Sequence, residues 1–443
     1  MKQAANVSFK VSKGGSLRGS CRVPGDKSIS HRAIMLGSLA EGQTRVDGFL
    51  QGEDSLATLA AFKKMGVAIT GPDRGKVVIN GVGMRGLKNP TADAIELDMG
   101  NSGTAMRLMA GLLAGQSFSS SLSGDASLNG RPMGRVTKPL ALMGANIQSR
   151  DNGCAPLLIQ PSTVLHGIDY ELPVASAQVK SALLLAGMYA DGQTCITEPA
   201  PTRDHSERML RAFSYPVHSE NGKICLQGGG RLLATDIDVP SDISSAAFFL
   251  VGASIAPGSD LTLQHVGINP TRIGVINILR QMGADIEILN EREVGAEPVA
   301  DLRVKHARLR GIEIPRDQVP LAIDEFPVLF VAAAFAEGST TLSGAEELRV
   351  KESDRIQVMA DGLEALGCRL QTKPDGIVIE GGRLNGGNVH AHGDHRIAMS
   401  FAMAALCADG EIRIEDCANV NTSFPGFCNL AAQCGLGISE QRD

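Results

Sequence analysis

The chain has 443 residues, too many for a single hydrophobic core, so two or three domains are expected. Its formal net charge is −6 with 20% charged residues, and without a long basic run this argues against a nucleic-acid partner. The longest apolar runs, such as residues 328–335, are too short to span a bilayer, and Met1-Lys2-Gln3-Ala4-Ala5-Asn6 has no apolar signal core. The nine cysteines include no C-x-x-C pair, which leads us to expect reduced thiols in a cytoplasmic protein with no disulfide framework and no zinc site.

In chain order, the first informative stretch is PGDKSISHR (24–32). A Pro-Gly turn delivers Lys27, Ser28, Ser30 and Arg32 to the start of an apolar helix. The unpartnered N–H groups and the dipole at a helix start attract anions, so this reads as a phosphate or carboxylate cradle. An ordinary capped helix with a solvated basic end is the alternative. GNSGTAMR (100–107) is a second Gly-rich turn into a helix. There Gly103 permits close backbone approach to an oxyanion and Arg107 supplies charge one turn on. GRPMGR (130–135) holds Arg131 in a Pro-limited loop suited to bidentate anion binding. Ser176, Ala177 and Gln178 open a further helix, and Arg203 precedes another.

The second half begins near Val239-Pro240-Ser241-Asp242, a plausible hinge before a small-residue helix. Asp324 stands just before an apolar helix, as an N-cap or a base. In RVKESDR (349–355), a helix would put Lys351 and Arg355 on one face with Glu352 three residues before Arg355. His390, His392 and His395 lack the i, i+4 spacing of a helical zinc site, so no metal is expected, and Arg396 opens one more cationic helix.

A repeat underlies these motifs. A helix ends in Met-Gly or Leu-Gly and a strand leaves at once, at Gly66, Gly144, Gly283 and Gly367, with weaker copies near Phe213 and Gly435. Glycine suits the left-handed residue that ends a helix. Six α+β modules, three per domain, are expected. Many cationic helix starts with few acids suit a substrate bearing several phosphate and carboxylate groups, handled by proton transfer and electrostatic stabilisation.

Taken together, the motifs at 24–32, 100–107, 130–135, SAQVK (176–180), RDHS (203–206), NPTR (269–272), 349–355 and DHRIAMSF (394–401) resemble the class II branch of the 5-enolpyruvylshikimate-3-phosphate synthase family over nearly the whole chain. The resemblance implies an α/β (α+β) protein, a two-domain inside-out barrel of six βαβαββ repeats that closes around its substrates. Its domains would be 1–22 with 241–443, and 23–240. It implies transfer of the enolpyruvyl group of phosphoenolpyruvate to shikimate 3-phosphate by a monomer without a cofactor. The resemblance places Lys27, Gly103, Arg131, Gln178, Lys351, Arg355 and Arg396 at phosphoenolpyruvate. It places Lys27, Ser28, Arg32, Ser176, Ala177, Gln178, Arg203, Asp324 and Lys351 at shikimate 3-phosphate. Asp324 would be the base, with Lys27 and Glu352 exchanging protons at the phosphoenolpyruvate carbon. Thr422 stands where many class I members carry a lysine, so that cation is missing. Gly103 stands where some glyphosate-tolerant members carry alanine. The related UDP-N-acetylglucosamine enolpyruvyl transferases usually carry a cysteine in the loop that here holds Ala126 and Ser127.

Overall fold

Six helices, three in each unit, are buried nearly all round, and those that end in the repeated glycine, including the motif-bearing Gly134–Leu142 and Arg355–Ala365, are partly exposed. That division of labour builds the fold. The computed structural model describes residues 7–442; the N-terminal Met1–Asn6 reading lies outside them. The described chain forms six small sheets, five of four strands and one of three. In the sheet of Ile95–Asp98, Ser120–Ser123, Leu157–Gln160 and Asn146–Gln148, the first pair is parallel and the rest are antiparallel. The buried helix Gly103–Ala114 crosses between the parallel strands, and Gly134–Leu142 leads to the hairpin. This is one βαβαββ module.

The chain divides into two compact units. One comprises Gly25–Val239 with Val294–Ala296; the other comprises the chain up to Pro24, Pro240–Glu293 and the residues from Glu297 onward. Each unit has its own core of Ala, Leu, Ile, Val, Met and Phe side chains.

In the first unit the buried helices are Lys27–Leu39, Gly103–Ala114 and Ala177–Gly187; in the second they are Ile243–Ile255, Phe326–Ala334 and His395–Ala404. All thirteen residues of Ile243–Ile255 are buried. Small residues make this packing feasible. A Cβ on Gly111 would lie 2.0 Å from the Ala182 carbonyl oxygen, so only glycine lets these two helices approach so closely. No helix among the described residues is long and apolar enough to cross a membrane.

The repeated helix stops have the expected geometry. Gly66, Gly144, Gly283 and Gly367 take φ of +88°, +93°, +95° and +88°, the left-handed conformation that ends a helix and releases a strand. The weaker copy after Phe213 uses Ser214, at φ +63°.

The thiol expectation needs one correction. Cys195 and Cys225 are direct neighbours across the antiparallel strands Gln193–Thr197 and Lys223–Gln227, with Cα atoms 4.1 Å apart, and are joined as a disulfide. Thirty residues separate them in sequence, so a search for close Cys pairs misses what strand register brings together. The other seven cysteines are free.

Candidate functional site

In the unit around Gly25–Val239, Asp26 caps the Lys27–Leu39 helix by accepting the Ile29 N–H at 2.9 Å. Lys27 is thereby fixed as the first helical residue. Its Nζ donates to Asp54 Oδ2 at 2.9 Å, from the first turn of Glu53–Lys64. Arg32, one turn on, donates from Nη1 to the Ser28 carbonyl at 2.9 Å. Its Nε donates to Ser206 Oγ at 2.7 Å and its Nη2 to Ser181 Oγ at 2.8 Å. These bonds draw the start of the Lys27–Leu39 helix to the helices Ala177–Gly187 and His205–Ala212. Ser30 does not join Ser28 as a donor: it is buried, and its hydroxyl accepts the Leu50 N–H at 3.0 Å. The helical period that puts Arg32 beside Ser28 turns Ser30 inward.

Ser102 caps Gly103–Ala114, accepting the Ala105 N–H at 3.1 Å. Arg107 Nη1 donates to Gln178 Oε1 at 2.6 Å, and Gln178 Nε2 donates to Thr104 Oγ1 at 2.9 Å. Arg131 Nη2 donates to Asn101 Oδ1 at 2.8 Å. A Cβ on Gly103 would lie 3.1 Å from Arg107 Nη1 and 3.3 Å from Arg131 Nη1. Two guanidinium groups therefore converge on one helix N-terminus, which favours an anion. Ser176 caps Ala177–Gly187 through the Val179 N–H at 3.4 Å. Arg203 stands two residues before the His205–Ala212 helix. Beneath these loops, fully buried Lys180 bridges Glu198 at 2.9 Å and Glu207 at 2.7 Å.

The other unit holds Asp324, Glu352 and Asp394 around Arg355. Asp324 Oδ1 lies 3.3 Å from Arg355 Nη1 and 3.7 Å from Lys351 Nζ. Arg355 Nη2 donates to Glu352 Oε2 at 2.6 Å and its Nε to Asp394 Oδ2 at 2.8 Å. Burial opposes the charge on Arg355, but Asp394, Glu352 and Asp324 outweigh it and push its pKa above the usual value. Burial likewise raises the Asp394 pKa, and Arg355 overcomes it, leaving the carboxyl below its ordinary value. Arg396 Nη1 donates to the Asp324 carbonyl at 3.1 Å and lies 3.8 Å from Glu325 Oε1. Glu325 in turn accepts from Ser244 Oγ and lies 3.9 Å from Arg272 Nη2.

Three sequence expectations change here. RVKESDR is not one helix: a 3₁₀ turn ends at Val350 and an α-helix begins at Arg355, capped by Asp354. Lys351 and Arg355 meet through Asp324 instead. Asp324 does not cap the Phe326–Ala334 helix, whose cap position is Glu325. The acids are not few: Asp324, Glu325, Glu352 and Asp394 all engage the cations. Buried arginines need such partners, since removing a counter-charge costs several kcal/mol.

Among residues not singled out from sequence, Asp54 and Asp394 brace Lys27 and Arg355. Asp394 sits inside a motif, one residue from a cationic helix start, and its N-cap position was a usable signal. Asp54 carried no such mark.

Cations at capped helix starts, with carboxylates gripping a buried arginine, define a protein that binds phosphate and carboxylate groups and moves protons beside them. The comparisons sharpen this. The family described as EPSP synthase (3-phosphoshikimate 1-carboxyvinyltransferase) matches residues 11–430. The 3-phosphoshikimate 1-carboxyvinyltransferase of Alkalilimnicola ehrlichii is 66% identical, covering 98% of this chain and 97% of that protein. That of Methylococcus capsulatus is 65% identical over 98% of each. The solved structure of EPSP synthase from Acinetobacter baumannii superposes with a TM-score of 0.89 at 58% identity, covering 98% of this chain and 100% of that one. The chain belongs to the EPSP synthase family, and its α/β fold is that of those enzymes.

Proposed function

We propose that the residues just described carry out the family's reaction in this chain, with the two units serving as its two domains. The protein is a transferase: it moves the enolpyruvyl group of phosphoenolpyruvate onto the 5-hydroxyl of shikimate 3-phosphate and releases phosphate, in the shikimate pathway to chorismate and the aromatic amino acids. Ser28, Arg32, Ser176, Ala177, Gln178 and Arg203 hold shikimate 3-phosphate. Gly103, Arg131, Gln178, Arg355 and Arg396 hold phosphoenolpyruvate, and Lys27 and Lys351 serve both. Asp324, oriented by Lys351 and Arg355, takes the proton of the attacking hydroxyl. Glu352, held on Arg355, and Lys27 deliver a proton to the methylene carbon of phosphoenolpyruvate. The oxygen adds to the adjacent carbon, giving a tetrahedral intermediate, and loss of phosphate with that methyl proton restores the double bond. The atoms balance between the two substrates, so no cofactor enters.

The observation that carries this reading is the chain Asp324–Arg355–Glu352, with contacts of 3.3 Å and 2.6 Å. It joins a candidate base and a candidate acid through one buried cation. A module that only bound polyanions would have no need of either carboxylate. The test is phosphate release from phosphoenolpyruvate with shikimate 3-phosphate, with UDP-N-acetylglucosamine, or with neither. Release with the first alone is expected; release with the UDP-sugar or with neither overturns the reading. The protein works as a monomer, supported by the occurrence of every motif in one chain, and light scattering near 46.5 kDa checks this.

A further inference from the structure

His31 is buried in the Lys27–Leu39 helix, between Ser28 and Arg32, and takes no part in the chemistry above. Its Nδ1 lies 2.8 Å from Thr58 Oγ1 and its Nε2 3.3 Å from Ser102 Oγ. The Thr58 hydroxyl assigns the tautomer. Thr58 Oγ1 lies 3.5 Å from the Asp54 carbonyl and directs its proton there, leaving a lone pair for Nδ1–H. The neutral ring is then bare at Nε2, and Ser102 Oγ, which accepts the Ala105 N–H, has its own proton to give that nitrogen. Burial pushes the His31 pKa down to about 3, and Lys27 and Arg32 push the same way. An imidazolium would present a second N–H to Ser102 and strand that hydroxyl's proton.

We propose that His31 is a positioning residue for phosphoenolpyruvate, its ring locking the Ser102 cap, and with it the helix start at Gly103, onto the helix that begins at Lys27. The lock has two ends. Thr58 lies one turn beyond Asp54, whose carboxylate holds Lys27. Ser102 sets the turn that places Gly103 beside Arg107 and Arg131. The inference rests on the assignment of Gly103 and Arg131 to phosphoenolpyruvate.

The test uses His31→Asn, His31→Gln and Ser102→Ala in the full chain, with KM for each substrate, kcat and thermal melting. Asparagine puts its amide where Nδ1 stands and cannot reach Ser102; glutamine carries its amide oxygen to where Nε2 stands. His31→Asn is expected to raise KM for phosphoenolpyruvate about tenfold, the worth of one buried hydrogen bond. KM for shikimate 3-phosphate stays within about twofold. His31→Gln restores most of the loss, and Ser102→Ala costs less when added to His31→Asn than when made alone, the remainder being the lost cap on Ala105. Equal rises in both KM values, or a glutamine variant as poor as the asparagine one, overturn the proposal. If His31→Asn does not fold, ¹⁵N-histidine spectra of the wild type decide: a ring protonated at Nδ1 and not titrating near pH 6.5 supports it, and the Nε2–H tautomer overturns it. Arg131→Ala separates the underlying reading, since an unchanged phosphoenolpyruvate KM there refutes the site assignment itself.

Discussion

Arg355 and Asp394 are both fully buried and share a hydrogen bond of 2.8 Å, Nε to Oδ2. Asp394 also caps the His395–Ala404 helix through the Arg396 N–H at 2.9 Å. One carboxylate thus sets the direction of one site arginine and the backbone of the next. Asp394→Ala leaves a buried guanidinium short of its main partner, and a loss of about 3–5 kcal/mol in unfolding free energy is expected, with activity falling in the folded fraction. Denaturant titration alongside the phosphate-release assay checks both.

The same pair sets an acid limit on stability. The folded Asp394 carboxyl titrates below its ordinary value of 3.8, so the unfolded chain binds its proton first as pH falls. Its contribution is complete above the ordinary carboxylate range and is lost as pH drops through the lower folded value. His31 adds a window of the same sign. Its folded pKa of about 3 lies under the ordinary 6.5, so stability falls between those values by about 1.4 kcal/mol per pH unit. Unfolding midpoints should decline from pH 7 to pH 4. The decline should be shallower above pH 4.5 in His31→Gln; an unchanged slope there refutes the buried neutral ring.

Gly103→Ala is expected to act on both neighbouring arginines. The added methyl would stand 3.1 Å from Arg107 Nη1 and 3.3 Å from Arg131 Nη1, tighter than ordinary contact. Guanidinium ends can yield by a few tenths of an ångström, so the chain should fold normally. The cost falls on the anion between them: KM for phosphoenolpyruvate should rise several-fold, and inhibition by glyphosate, the longer analogue, should weaken more. Inhibition of wild type and variant side by side decides it; equal inhibition counts against an analogue site at Gly103.

The helix starts and their charged residues were legible because capping is local: Asp26, Ser102, Ser176 and Asp394 each act within three residues of themselves. The module stops were legible for the same reason, since a left-handed residue after a helix selects glycine at Gly66 or Gly367. What stayed hidden depends on tertiary neighbours. Ser30 looked like Ser28 until the helix turned it inward to Leu50. Lys351 and Arg355 were expected to share a helical face, yet they meet only through Asp324, 27 residues before Lys351. Asp54, Glu198 and Cys225 gain their partners from chain reversals that no short window contains.

Lys180 illustrates such a hidden partner. Its ammonium, 1% exposed, sits between Glu198 and Glu207, and it ties the helix of Ser176 and Gln178 to the loop of Arg203. Lys180→Met keeps the volume and removes the charge, leaving two buried carboxylates facing each other. Destabilisation of about 3–5 kcal/mol is expected. Lys180→Met combined with Glu207→Gln should recover part of it, because the repulsion is then relieved. A double variant no more stable than the single one refutes this.

Asp324 and Glu352 should fail in different ways although they grip the same arginine. Asp324→Asn keeps the size of the side chain and removes the acceptor for the hydroxyl proton. Glu352→Gln keeps a partner for Arg355 and removes an acid near the methylene carbon. Each should lower kcat by about 10²–10⁴, the usual range for a positioned acid or base, with KM for shikimate 3-phosphate little changed in Glu352→Gln. In heavy water, deuterium enters the methylene group of phosphoenolpyruvate as addition reverses. Glu352→Gln should slow that exchange and turnover alike, because both need the methyl carbon to gain and lose a proton. In Asp324→Asn, reversal of addition also lacks the group that returns the hydroxyl proton, so exchange should fall further than turnover. Equal ratios of exchange to turnover in the two variants would refute the separate roles.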